Sequence, residues 1–205
     1  MFLLYDSAKF LFSYLFKPVF KFKVIGRENV PKEGPLLLAC NHASYLDPVL
    51  LATALPRRVN LLARENLFDK AWKRFILLRW KSIPMRREQL DKGVLKTVMG
   101  LLKEGEIVGL FPEGTRSPDE NLLPGKAGVG MLVSFAKLPV LPVYMKGAYL
   151  TMGKVHRKFK CTPITVVFGK PMEFPKVEGE HGHDRYQRIS DEVMAEIEKL
   201  KSSLE

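Results

Sequence analysis

Pro35-Leu36-Leu37-Leu38-Ala39-Cys40 is a short apolar run, and it feeds directly into Asn41-His42-Ala43-Ser44-Tyr45-Leu46-Asp47-Pro48. Six apolar residues are too few for a typical helix and suit a strand buried on both faces, and the polar stretch after it reads as a turn into a helix. The same kind of run recurs at residues 59–63, 107–111 and 140–145. Residues 164–168 are β-branched and end at Gly169. Residues 82–85 form a weaker strand, because Pro84 lacks an N–H and belongs at an edge or a strand end. Helical patterns lie between the strands. Leu90, Val94, Leu95, Val98, Leu101 and Leu102 share one face, with Gly105 just past the end. Residues 127–137 form another helix, and residues 186–200 a third, with Ile189, Val193, Ile197 and Leu200 facing inward. This alternation predicts an α/β fold, a single domain with a mostly parallel central sheet flanked by helices.

Sites in such sheets form beyond the carboxyl ends of the strands. Two segments with unusual chemistry fall there. In the first, Asp47 precedes Pro48, which turns it away from helical angles. Asp47 as the N-cap fits, with Pro48 first in the helix; a capping box from Ser44 to Asp47 fits as well. Either arrangement brings the carboxylate toward His42. A histidine beside a fixed carboxylate has its tautomer set and its cation stabilised, as a general base acting on a hydroxyl requires. The plainer alternative is that Asp47 only caps and His42 is a surface turn residue.

The second segment is Phe111-Pro112-Glu113-Gly114-Thr115-Arg116-Ser117. Gly114 permits close backbone approach or a positive φ. Arg116 presents a planar fork suited to phosphate, and Glu113 beside it predicts a polar network. An ordinary solvated ion pair would explain the same charges. Lys126 stands just before the next helix, where an anion is favoured. Arg86 and Arg87 follow the strand at 82–85 and either hold a phosphate or are solvated.

The 205 residues carry 33 Lys and Arg against 22 Asp and Glu, a formal charge of +11 that favours an anionic partner. The length suits one well-buried domain. Cys40 and Cys161 imply no disulfide framework and suit a reducing compartment. No Cys/His cluster has metal-ligand spacing, and neither a metal nor another cofactor is expected. Residues 67–81 carry Trp72 and Trp80 with other large apolar residues, interleaved with Lys and Arg. That pattern suits a membrane interface, and also single-stranded nucleic acid. No nucleic-acid motif accompanies it, so lipid is favoured and no nucleic acid is expected.

Residues 2–16 are apolar nearly all round and are followed by Lys17, Lys21 and Lys23. As a helix they would extend about 22 Å, short of the roughly 30 Å hydrocarbon core. They predict an interfacial helix in one leaflet, lysines toward the headgroups. Packing on the protein's own core is the alternative. The expected division is a membrane-associated helix at 1–20 and a catalytic domain at 21–205.

These segments resemble the glycerolipid acyltransferase family, and within it the bacterial lysophosphatidic acid acyltransferases. Asn41, His42 and Asp47 match its N-H-x-x-x-x-D block, and residues 111–117 match F-P-E-G-T-R-S at every position. Ile83, Pro84 and Arg87 match its second block, where Lys81 replaces a usual glycine; Leu141-Pro142-Val143 match its fourth. The resemblance covers roughly residues 20–170. It implies a glycerol-3-phosphate acyltransferase-like fold and transfer of an acyl group from acyl-CoA or acyl-carrier protein to the sn-2 hydroxyl of lysophosphatidic acid. It implies His42 as base, Asp47 as its support, and Arg87 and Arg116 on the acceptor phosphate. Glu113 would contact the acceptor or orient Arg116; Gly114, Thr115 and Lys126 would complete the binding loop. Some bacterial members carry a two-helix membrane element, which here would be shared between the first helix and the Trp-rich segment. Peripheral attachment to an anionic membrane, at the cytoplasmic face, follows. Two rival readings stay open: Cys40 with His42 as a thiol nucleophile pair in a thioesterase or hydrolase, and a non-catalytic protein that binds anionic lipid.

Overall fold

The computed structural model describes residues 3–86, 91–153, 159–180 and 182–204. Helix α1 (Leu3–Phe20) leads into strand β1 (Lys23–Ile25), followed by β2 (Leu36–Cys40), α2 (Asp47–Ala54) and β3 (Val59–Arg64). Then come α3 (Ala71–Arg79), β4 (Ser82–Met85), α4 (Lys92–Lys103), β5 (Ile107–Leu110) and α5 (Gly128–Ala136). The chain ends with β6 (Val140–Lys146), α6 (Ala148–Met152), β7 (Thr165–Phe168) and α7 (Gly182–Ser202). One sheet has the order β1-β7-β6-β2-β5-β3-β4. The five strands from β6 to β4 are mutually parallel; β7 is antiparallel to β6, and β1 runs with β7.

The apolar runs are continuous because both faces of the sheet are covered. Along β2 every residue is buried. Leu36, Leu38 and Cys40 point into a core shared with α1 and α2, while Leu37 and Ala39 point into a second core shared with α4, α5 and α7. Helix α4 is capped by Asp91, whose carboxylate accepts the Val94 N–H at 2.9 Å, and it buries Val94, Val98 and Leu102. Leu90, expected on the same face, lies outside the described residues. Helix α5 meets α7 so closely that a Cβ on Gly130 would fall 1.9 Å from the Tyr186 carbonyl oxygen. Strand β4 forms one edge and carries Pro84, as its sequence predicts.

Helix α1 packs part of its surface on the fold that follows it. Tyr5, Phe12, Phe16 and Phe20 form its inner face and belong to the first core, while Phe10, Leu11, Tyr14 and Leu15 face solvent. A helix apolar all round can do both. No helix among the described residues is long and apolar enough to cross a membrane. Strand β1 was not foreseen. Its three residues carry no period of their own and exist as a strand by pairing with β7.

Candidate active site

Strands β2 and β5 are neighbours at the centre of the sheet, with Ala39 opposite Leu110 near their carboxyl ends. From β2 the chain turns through α2 toward β3; from β5 it turns through α5 toward β6, on the opposite side of β2. The two loops therefore leave adjacent strands in diverging directions and open a crevice between them.

In the first loop Asn41 is a staple. Its side-chain oxygen accepts the Met145 N–H at 2.7 Å and its amide donates to the Met145 carbonyl at 3.2 Å, binding the exit of β2 to β6. The Asp47 carboxylate, 1% exposed, turns back over the loop. Its Oδ2 accepts the backbone N–H groups of Ala43 and Ser44, each at 2.7 Å, and lies 2.7 Å from His42 Nδ1. An oxygen that accepts two N–H groups is an acceptor toward the third partner also, so Nδ1 carries hydrogen and Nε2 keeps the free lone pair. Asp47 Oδ1 is buried with no hydrogen-bond partner among the described residues. The His42 ring stacks on Phe111, with centroids 4.1 Å apart and planes 18° apart. Carboxylate and aromatic face together leave the imidazole little rotational freedom.

Asp47 is the first residue of α2 rather than its N-cap, a position held by Leu46. The capping-box alternative is half present: the Asp47 carboxylate accepts the Ser44 N–H, while Ser44 Oγ accepts the Leu46 N–H at 3.2 Å. The Ser44 hydroxyl donates to the Met152 carbonyl at 3.0 Å, joining this loop to α6.

The second loop crosses the first through the backbone of His42. Ser117 N–H donates to the His42 carbonyl at 2.8 Å, and His42 N–H donates to Glu113 Oε1 at 2.8 Å. Glu113 Oε2 accepts the Leu123 N–H at 3.2 Å. Glu113 thus braces two loops through backbone N–H groups and does not form the expected network with Arg116. Burial pushes its carboxyl up to about 7, against the pull of those two N–H donors, with Asp47 raising it further.

Arg116 is separate from this brace. Its guanidinium carbon lies 3.4 Å from the centroid of the Tyr45 ring, and Nη1 is buried with no hydrogen-bond partner among the described residues. Gly114 has φ 64°. A Cβ there would come within 3.1 Å of Lys126 Cδ, so the lysine stem lies across the glycine. Thr115 is half-buried. Lys126 N–H donates to the Pro112 carbonyl at 2.9 Å, two residues before α5 begins. Arg64 Nη2 donates to the Gly114 carbonyl at 3.0 Å, adding a cation the sequence reading missed. Its signal in the sequence is a cation at the carboxyl end of the apolar run that becomes β3. Arg87 lies outside the described residues.

Cys40 is fully buried in the first core, and burial pushes its thiol well above its ordinary range. A thiol held protonated in a core is not an available nucleophile.

A stacked, carboxylate-held imidazole and a half-buried guanidinium with one nitrogen unpartnered among the described residues thus stand on the loops after β2 and β5. The family model for Acyltransferase matches residues 21–146, more than half of the chain, and the chain belongs to that family. It is 29% identical over 184 residues to 1-acyl-sn-glycerol-3-phosphate acyltransferase of Bacillus subtilis (strain 168), covering 89% of each protein. It is 30% identical over 145 residues to the chloroplastic 1-acyl-sn-glycerol-3-phosphate acyltransferase BAT2 of Brassica napus, covering 68% of this chain and 41% of that protein. The crystal structure of the 1-acyl-sn-glycerophosphate acyltransferase PlsC from Thermotoga maritima superposes with a TM-score of 0.76 at 25% identity, covering 96% of this chain and 79% of that one. The chain therefore spans most of the two bacterial proteins and about two fifths of the chloroplast one.

Proposed function

We propose that the protein transfers a fatty acyl group from a thioester to the sn-2 hydroxyl of lysophosphatidic acid, giving phosphatidic acid for phospholipid synthesis at a membrane surface. The observation that carries this is the His42–Asp47 contact at 2.7 Å, with a guanidinium on the loop of the neighbouring strand whose buried nitrogen has no hydrogen-bond partner among the described residues. The relatives' names supply the acceptor.

His42 Nε2 takes the proton of the acceptor hydroxyl as its oxygen attacks the thioester carbonyl. The imidazolium that forms is stabilised by Asp47, whose Oδ1 has no hydrogen-bond partner among the described residues. The tetrahedral intermediate collapses, the C–S bond breaks, and the imidazolium proton goes to the departing thiolate. No acyl-enzyme forms, in keeping with the buried Cys40. Arg116, preorganised on the Tyr45 ring, holds the acceptor phosphate, with Arg87 and Lys126 adding charge. Glu113 holds the two loops in register and does not touch substrate. Acyl-CoA and acyl-carrier protein are both anionic and both suit a chain of +11. Attachment to the cytoplasmic face of the membrane uses the outer face of α1, where Phe10 and Tyr14 are 75% and 74% exposed.

The test is release of free thiol from each donor in the presence of a panel of lysolipids, with the acylated product weighed by mass spectrometry. Lysophosphatidic acid should give the fastest release and a product heavier by one acyl group. Thiol release without acylated lipid would make the protein a thioesterase and remove the proposal.

A further inference from the structure

Helix α3 is anomalous in this fold. Every other helix of eight or more described residues buries apolar side chains, whereas no residue of α3 is buried. A nine-residue helix without tertiary burial is marginal in water. Its large side chains are nonetheless apolar: Trp72, Phe75 and Ile76 are 62%, 56% and 46% exposed. Their i, i+3, i+4 spacing places them on one face. Three cations, Lys73, Arg74 and Arg79, accompany them, and no acidic residue lies within the helix. The cations ride on the rings: Lys73 Nζ is 5.6 Å from the Trp72 centroid and Arg79 Cζ is 4.7 Å from that of Phe75. Helix α7, on the other side of the sheet, mixes both signs and buries its apolar stripe.

The position of α3 relates it to α1. The crossovers β2-α2-β3 and β3-α3-β4 both advance toward the β4 edge, and right-handed connections place α2 and α3 on one side of the sheet. That side is the side of α1, because α1 and α2 share a core. Trp80, directly after α3, packs on Tyr5 and Phe12 of α1 with centroids 5.4 and 5.8 Å apart. Two neighbouring helices thus expose aromatic faces on the same side, one of them strongly cationic.

We propose that α3 is a second lipid contact, docking its Trp72, Phe75 and Ile76 face onto an anionic bilayer beside α1. This rests on the reading of the protein as a membrane-surface acyltransferase. Charge selects the occupant: apolar rings rimmed by cations with no acid among them fit anionic headgroups over an acyl layer. Two contacts, unlike one, fix the orientation of the chain on the membrane and hence the approach of lipid to the crevice.

The experiment uses the full chain with Trp80→Phe, which leaves Trp72 as the sole tryptophan. Mixed phosphatidylcholine and phosphatidylglycerol vesicles should shift its emission to the blue and shield it from acrylamide; pure phosphatidylcholine should do so much less, and salt should weaken the effect. In the otherwise native chain, Trp72→Glu should weaken partitioning onto the mixed vesicles by at least ~10-fold, which covers the case that Trp80→Phe fails to fold. A Trp72 that stays open to acrylamide while the chain sediments with vesicles overturns the proposal and leaves attachment through α1 standing. A chain that does not sediment at all removes both. A blue shift that grows with protein concentration without vesicles assigns the face to a second copy and overturns the proposal too.

Discussion

The loops after β2 and β5 leave neighbouring strands, yet they treat their charges in opposite ways. The first loop is closed on itself: Asp47 takes two backbone N–H groups and His42, and His42 is held by a carboxylate and an aromatic face. In the second loop Arg116 rests on Tyr45, with one buried nitrogen that has no hydrogen-bond partner among the described residues. Buried polar atoms are normally satisfied, and among the described residues each loop keeps one that is not, the acceptor Asp47 Oδ1 in the first and the donor Arg116 Nη1 in the second. The contrast separates two tasks. In the proposed reaction one loop fixes the proton acceptor before substrate arrives, and the other offers its unmatched donor to an anion.

The largest test of that division strikes the closed loop. His42→Ala should lower kcat by about 100- to 10,000-fold, with the KM for lysophosphatidic acid little changed. Asp47→Asn should fall in the same direction, and the double variant should be far less impaired than the product of the two, because the pair works as one unit. Near-normal turnover of His42→Ala in steady-state assays would erase the distinction between the loops.

A smaller effect is expected in the open loop. Arg116→Ala should raise the KM for lysophosphatidic acid by ~10- to 100-fold, the scale of a lost charge-assisted hydrogen bond. The KM for the acyl thioester should change much less. Arg116→Lys should restore little, since a lysine can neither fork nor stack as a guanidinium does. Equal losses toward both substrates would make Arg116 structural.

The smallest effect concerns Glu113, which joins the loops. Its carboxyl keeps its proton to about pH 7 in the fold, against an ordinary value of 4.5. Protonation therefore favours the folded state. The contribution is complete below about pH 4.5 and is lost as pH rises through about 7. Glu113→Gln, which has no proton to lose, should flatten that part of the stability profile, read as the denaturation midpoint across the interval. Its amide retains one acceptor oxygen for two N–H groups, so kcat should drop modestly, well short of the loss in His42→Ala. An unchanged pH profile would remove Glu113 from the ionisation and leave only its hydrogen bonds.

What was legible in the sequence follows from how the information is stored. The strands at the centre of the sheet announced themselves because burial on both faces demands unbroken apolar runs. The proximity of His42 and Asp47 was readable because five residues of a single turn carry it. The Glu113 brace was not, because its partners are backbone groups of residues 42 and 123, which no side-chain pattern encodes. Nor was the clamp of Phe111 on His42, which depends on β2 and β5 being neighbours despite the two intervening strands in the chain. Helix α1 was ambiguous for a further reason. Apolar residues on every side do not say which of them meet protein and which do not.

Both edges of the sheet are poor templates. Strand β4 is four residues long and Pro84 removes one donor from it; β1 is three residues long and begins with an exposed lysine. Neither edge offers a long flat ladder to another chain. A protein gathered onto a surface diffuses in two dimensions, where its copies meet far more often than in bulk solution. Blunt edges let such a layer become crowded without its members zipping together into fibres.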